Sequence, residues 1–132
     1  MLTLSGSGPG IGLATATLFA EKKFNKIVLL SRSSTRLQED RSNVLRSLAS
    51  RGKTDVEVTT YSVDISDSKG FQSILNQAAS ALPDLTCVLF NAAKVAPSDL
   101  LTYGEEQMLE DFKVGSLSCL ASHWRLPFCE PD

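Results

Sequence analysis

Hydrophobic positions along this chain fall into two patterns that alternate. One is short and continuous: Ile27-Val28-Leu29-Leu30 lies in a strand-length run at 26–31 behind the turn residue Asn25, and Cys87-Val88-Leu89-Phe90 lies in another at 85–90. Uninterrupted apolar runs of that length predict parallel strands covered on both faces. The other pattern has helical spacing. Ile11, Ala14, Leu18 and Phe19 predict a helix over about 11–23, and Leu37, Val44, Leu45 and Leu48 predict a second over about 35–51, with Gly52 suited to a left-handed cap. Phe71, Ile74, Leu75, Ala78 and Leu82 form a third stripe, which Ser66 or Asp67 can cap and Pro83 ends.

The remaining segments complete the alternation. Residues 1–5 are a short strand candidate, and 55–63 form a strand rich in β-branched residues (Val56, Val58, Thr59, Thr60, Val63). Residues 91–101 read as loop, and 105 to about 122 as a helix with Met108, Phe112, Cys119 and Leu120 on one face. Strands alternating with helices predict an α/β domain with a parallel sheet, because each right-handed crossover needs a helix to return the chain. The domain is expected over residues 1–122, and 123–132, which lack periodicity, as an irregular tail.

Composition narrows the classes without choosing among them. The 132 residues suit one domain, and 42% apolar with 21% charged side chains is ordinary for a globular protein. A net charge of -2 gives no electrostatic funnel for nucleic acid or an anionic membrane. The apolar runs are far short of the about 20 residues that cross a bilayer, so no membrane association is expected. No basic segment followed by a long apolar stretch opens the chain, which argues against a secretory signal. The three cysteines (Cys87, Cys119, Cys129) make no CxxC pair, so a reduced, cytoplasmic setting is expected.

Candidate chemistry concentrates in the turn after the first strand, Gly6-Ser7-Gly8-Pro9-Gly10-Ile11-Gly12. A P-loop needs a Lys beside its last Gly, and the next lysine is Lys22. The G-x-G-x-x-G spacing fails too, since counting from Gly6 and Gly8 puts Ile11 in the third place. G-x-x-x-G-x-G fits, at Gly6, Gly10 and Gly12. Gly6 lets the chain leave the strand in a tight turn, Gly10 lets the backbone approach a pyrophosphate, and Gly12 lets the helix pack closely. The N–H groups at the helix start, Ile11 included, then face the anion with the helix dipole behind them, while Pro9 has no N–H to offer. Taken alone, the same residues also describe a glycine-rich hairpin or loop. Their place between a strand and an amphipathic helix favours the phosphate cradle.

Where the second strand ends stands Ser31-Arg32-Ser33. A carboxylate there would accept from the ribose hydroxyls of NAD. An Arg with small hydroxyl neighbours favours the 2′-phosphate, so Arg32 and Ser33 point to NADP rather than NAD.

With two further segments, the turn resembles the short-chain dehydrogenase/reductase family. Ser5-Gly6-Ser7-Gly8-Pro9-Gly10-Ile11-Gly12 is similar to its T-G-x-x-x-G-x-G, with Ser for Thr. Val63-Asp64-Ile65-Ser66 resembles its aspartate segment after the third strand. Leu89-Phe90-Asn91-Ala92-Ala93 resembles its N-N-A-G, with Phe90 for the first Asn and Ala93 for the Gly. The resemblance covers roughly residues 2–115, the first half or so of a family member. It implies a Rossmann-type, doubly wound parallel sheet whose first four strands lie in spatial order 3-2-1-4. It also implies an NADP site: Gly6, Gly10, Ile11 and Gly12 on the pyrophosphate, Arg32 and Ser33 on the 2′-phosphate, Asp64 and Ile65 on the adenine, Asn91 and Ala92 on the inner ribose.

The same resemblance exposes what is absent. Family enzymes use a Tyr as general acid/base and a Lys four residues later on the same helical face. Here Ile65 stands four after Tyr61 and Gln107 four after Tyr103, so neither tyrosine fits. Phe112-Lys113-Val114-Gly115 resembles the family's F-x-V-N with Gly115 in place of the Asn. His123 is the single histidine, which excludes a multi-histidine metal site, and a Cys119–His123 pair at helical spacing has nothing to orient it. Three readings follow: an oxidoreductase whose catalytic half lies outside this chain, acting on a carbonyl or alcohol in a complete relative; a catalytically silent nucleotide-binding or regulatory module; or a truncated fragment without function. The fourth strand at the sheet edge is expected to invite self-association.

Overall fold

The computed structural model describes residues 2–81, 87–93 and 102–118. The elements are β1 (Leu2–Ser5), α1 (Ile11–Lys22), β2 (Lys26–Ser31), α2 (Ser34–Ala49), β3 (Glu57–Ser62), α3 (Ser68–Ala81), β4 (Cys87–Phe90) and α4 (Glu105–Phe112). A five-residue π turn, Lys113–Leu117, continues α4. All strand pairings are parallel, in the order β3-β2-β1-β4. Ser5 stands opposite Leu30 on one side and Phe90 on the other, and Ser31 opposite Ser62, so the carboxyl ends of the strands are level.

β2 explains how the core is divided. Its Ile27, Val28, Leu29 and Leu30 are all buried, and a strand sends successive side chains to opposite faces. Ile27 and Leu29 pack with Ala16 and Ala20 of α1 and with Leu37, Val44 and Leu48 of α2. Val28 and Leu30 pack on the other face with Phe71 and Leu75 of α3. Helices therefore cover both sides, which is why this strand carries no polar alternation.

Helix ends follow local chemistry. The Ser33 hydroxyl accepts from the Arg36 N–H at 3.2 Å and caps α2. At its other end Gly52 takes φ 76°, donates to the Ala49 carbonyl, and is followed by Lys53 donating to the Leu48 carbonyl. This is a Schellman closure, and it ends α2 two residues earlier than periodicity alone suggests.

Two expectations fail. The apolar stripe read for α1 was Ile11, Ala14, Leu18 and Phe19, yet Ile11 and Leu18 are 73% and 51% exposed, Ala14 is exposed, and the buried face is Gly12, Ala16 and Ala20. Small residues carry this interface because they bring the helix axis close to the sheet, and Phe19 is only partly buried at its margin. On α4, the spacing predicts a packing face with Met108 and Phe112; both are more than half exposed, Leu109 is 50% exposed, and no residue of α4 is buried. The predicted single helix over 105–122 also changes pitch at Lys113. Leu82, Pro83, Leu85, Cys119, Leu120, His123 and the expected tail at 123–132 lie outside the described residues.

Candidate functional site

The turn between β1 and α1 is held by its backbone. Gly6 and Ser7 both donate their N–H groups to the Leu30 carbonyl at 3.0 Å, so β2 anchors the chain as it leaves β1. Gly6 has φ 87°, and a Cβ there would lie 2.5 Å from the Ala92 nitrogen. No L side chain fits. The Gly6 carbonyl accepts from Asn91 Nδ2 at 3.3 Å, so the residue after β4 braces the residue after β1. A Cβ on Gly12 would lie 2.6 Å from the Gly6 carbonyl oxygen and 3.3 Å from Ser7 Cα. Gly12 thus seats α1 against the turn itself, where close packing onto the sheet was expected. Gly10 differs: a Cβ there meets nothing within 4 Å. The space above it is open to a ligand.

α1 begins without a side-chain cap on Gly10. Leu13 donates to the Gly8 carbonyl and Ala14 to the Gly10 carbonyl. The N–H groups of Ile11 and Gly12 have no acceptor among the described residues. These orphan donors, at the positive end of a twelve-residue helix, suit an anion.

Beyond the turn, a cleft of about 270 Å³ opens at the carboxyl ends of the strands. Gly6, Arg32, Asp64, Ile65, Asn91 and Ala92 line it, six of the ten residues singled out in the sequence. Gly10, Ile11, Gly12 and Ser33 do not. Gly10 borders a shallower groove between α1 and α2, and the Ser33 hydroxyl is engaged with Arg36. Arg32 stays at the rim, where its carbonyl accepts from Ser62 Oγ at 2.8 Å.

Asp64 accepts twice at one oxygen, from the Ser66 hydroxyl at 2.7 Å and the Ser66 N–H at 2.9 Å. These bonds, the hydroxyl foremost, hold its carboxyl below the usual carboxylate range; partial burial opposes them and the Arg32 guanidinium adds to them. A fixed anion beside a guanidinium at a cleft mouth can accept from an amino group on one side while the cation meets a phosphate on the other.

Sequence reasoning missed three features of the site. Val114, in the π turn, closes one wall of the cleft. Ser118, buried, directs its hydroxyl at the Ile65 carbonyl and the Lys113 carbonyl, both at 2.7 Å, and so ties that turn to the segment after β3. Ser7 donates its hydroxyl to Asp40 Oδ2 at 2.7 Å, and Asp40 is only 3% exposed. The signal for the last was present: Asp40 falls three residues after Leu37 and four before Val44, on the stripe that reads as core.

A parallel sheet with helices on both faces and a glycine-rich turn at its carboxyl edge is the architecture of a dinucleotide-binding α/β domain. L-Sorbose reductase from Gluconobacter frateurii, solved with NADPH and L-sorbose, superimposes with a TM-score of 0.81 at 21% identity, over 95% of this chain and 45% of that one. Alcohol dehydrogenase from Thermococcus sibiricus, solved with 5-hydroxy-NADP, gives 0.77 at 22% identity over 92% and 49%. Residues 2–117 match the KR domain family, and the chain belongs to it, within the short-chain dehydrogenase/reductases. Among curated relatives, 17-beta-hydroxysteroid dehydrogenase 13 of Homo sapiens is 31% identical over 117 residues, 89% of this chain and 36% of that protein. Its Rattus norvegicus counterpart is 29% identical over 114 residues, 86% and 35%. The chain spans about a third of the length of the curated relatives it matches.

Proposed function

We propose that this chain is the cofactor-binding part of a short-chain oxidoreductase and that it binds NADP(H) at the carboxyl edge of its four-stranded sheet. The observation that carries this reading is the juxtaposition at one cleft of the Gly6 turn, Arg32, Asp64 and Asn91, each at the end of a different strand. The residues present fit a dinucleotide. Gly10 leaves open space, Ile11 and Gly12 offer unpaired N–H groups to a pyrophosphate, and Arg32 supplies a cation for a 2′-phosphate. Asp64 and Ile65 would meet the adenine, and Asn91 with Ala92 the inner ribose. Ser33 would assist Arg32 by keeping α2 capped beside it.

Bound NADP(H) would supply a hydride to a carbonyl, or take one from an alcohol, in the whole protein. This chain's own residues hold and orient the cofactor. Neither Tyr103 nor Tyr61 carries a Lys four residues on, so the proton-transfer group of the reaction is assigned to no residue here. A silent nucleotide-binding module is the second reading, favoured by Gly115 standing where the family's F-x-V-N segment carries its Asn.

Fluorescence titration of the purified chain with NADPH and NADH tests the proposal. NADPH is expected to bind more tightly, and Arg32→Asp to reduce the NADPH-over-NADH preference by about tenfold to a hundredfold, the worth of one charge-assisted phosphate contact. A cooperatively folded chain that binds neither dinucleotide overturns the reading. Equal affinities in the unmutated chain overturn the choice of NADP. Turnover of a panel of carbonyls by the NADPH-bound chain would reject the silent module.

A further inference from the structure

We propose that Asp40 is a positioning residue for the dinucleotide turn, acting through the hydroxyl of Ser7. Asp40 sits in α2 between Leu37 and Val44, on a stripe whose other members pack in the core, and it is 3% exposed. A carboxylate there costs far more to bury than an aliphatic side chain would. Fold stability alone gives no reason for it. Its Oδ2 accepts from Ser7 Oγ at 2.7 Å, a short bond across 33 residues of chain.

Ser7 is the first residue of the turn with a side chain, and it is anchored twice. Its N–H is fixed on the Leu30 carbonyl of β2 and its hydroxyl on Asp40 of α2, and it lines the cleft. The next residues, Gly8 and Gly10, have open space where a side chain would stand, and beyond Pro9 the stretch is held by backbone bonds alone, from the Gly10 and Leu13 N–H groups to the Gly8 carbonyl and from Ala14 to the Gly10 carbonyl. A glycine-rich segment has much freedom to lose when it closes on a pyrophosphate, so fixing its first residue lowers the cost of binding. Asp40 does not line the cleft. It directs the single Ser7 proton into the protein and thereby sets where the turn starts.

The inference rests on the proposed NADP(H) site, and the test separates the two. Affinities for NADPH and NADH are measured for the unmutated chain, Ser7→Ala, Asp40→Ala, the double variant and Asp40→Asn, with thermal unfolding of each. Ser7→Ala and Asp40→Ala are expected to weaken both dinucleotides about tenfold and equally, since the turn faces the pyrophosphate they share. The double variant is expected to be no worse than either single one. Asp40→Asn keeps an acceptor and drops the charge, so it should stay within about threefold of the unmutated chain.

Lower thermal stability with unchanged affinities in Ser7→Ala and Asp40→Ala would overturn the proposal, because a purely structural role predicts that result. A loss in Asp40→Asn as large as in Asp40→Ala would overturn it too, by making charge the cause. Should Asp40→Ala fail to fold, Ser7→Ala set against Asp40→Asn decides. If the folded, unmutated chain binds neither dinucleotide, the functional reading falls and this inference with it. If it binds and the variants bind equally well, this inference falls alone.

Discussion

α1 and α4 both stand near the cleft, and they meet the rest of the protein in opposite ways. α1 buries only small residues, Gly12, Ala16 and Ala20, and turns Ile11 and Leu18 outward. α4 buries nothing, leaves Met108, Leu109 and Phe112 half or more exposed, and gives way to a π turn at Lys113. α1 is fixed by close approach of backbone to backbone, where large side chains would only hold it off. α4 is fixed chiefly at its end, through Val114 against the Val28 side of the sheet and Ser118 on the Ile65 carbonyl. Large apolar residues are therefore a poor guide to which helix face is buried when the interface is made of glycine and alanine.

Substitutions at corresponding places on the two helices should separate these modes of attachment. Gly12→Val is expected to have the largest effect. Its Cβ alone would sit 2.6 Å from the Gly6 carbonyl oxygen, an immovable backbone atom. A loss of about 3 kcal/mol or more is expected in denaturant unfolding, with dinucleotide binding lost as well. Gly115→Ala, in the π turn, has open space around its Cβ and is expected to stabilise by about 0.5–1 kcal/mol in the same measurement. A loss there would show that the widened turn depends on glycine.

Smaller effects follow on exposed groups. Phe112→Ser should change unfolding free energy by less than about 0.5 kcal/mol, because the ring is already 52% exposed. A larger loss would mean that something covers α4. Last comes Asp64, whose carboxyl is held below its ordinary range by Ser66. Its contribution to stability is present above the unfolded-state carboxylate range and is lost as pH falls through the lowered folded value. Screening at this exposed site keeps the contribution small. Ser66→Ala should raise the Asp64 titration midpoint, followed by NMR, and move the loss to higher pH.

How far the sequence disclosed the protein can be judged on individual residues. The β2 run, 26–31, and the α2 and α3 stripes were legible because large aliphatic residues carry them, and periodicity measures large residues well. The glycine spacing placed the turn, and Arg32, Asp64 and Asn91 reached one cleft because parallel strands deliver their carboxyl ends to one edge. The α1 face is hard to read because its large residues Ile11 and Leu18 point outward while the buried ones, Gly12, Ala16 and Ala20, are small. Asp40 is not legible in sequence because a charge on an apolar stripe reads as an interruption, and its meaning depends on Ser7, 33 residues earlier. The bond from Ser118 to Ile65 spans 53 residues and has no local signature.

A single oxygen, the Leu30 carbonyl, receives both amides of the Gly6–Ser7 step. Two donors on one acceptor make a shared hinge pin: neither can leave without loading the other, and both let go together if the central strand shifts along its axis. Asn91 on the Gly6 carbonyl and Asp40 on the Ser7 hydroxyl brace the same step from two other elements. A displacement of β2 at Leu30 is therefore felt directly at the mouth of the cleft.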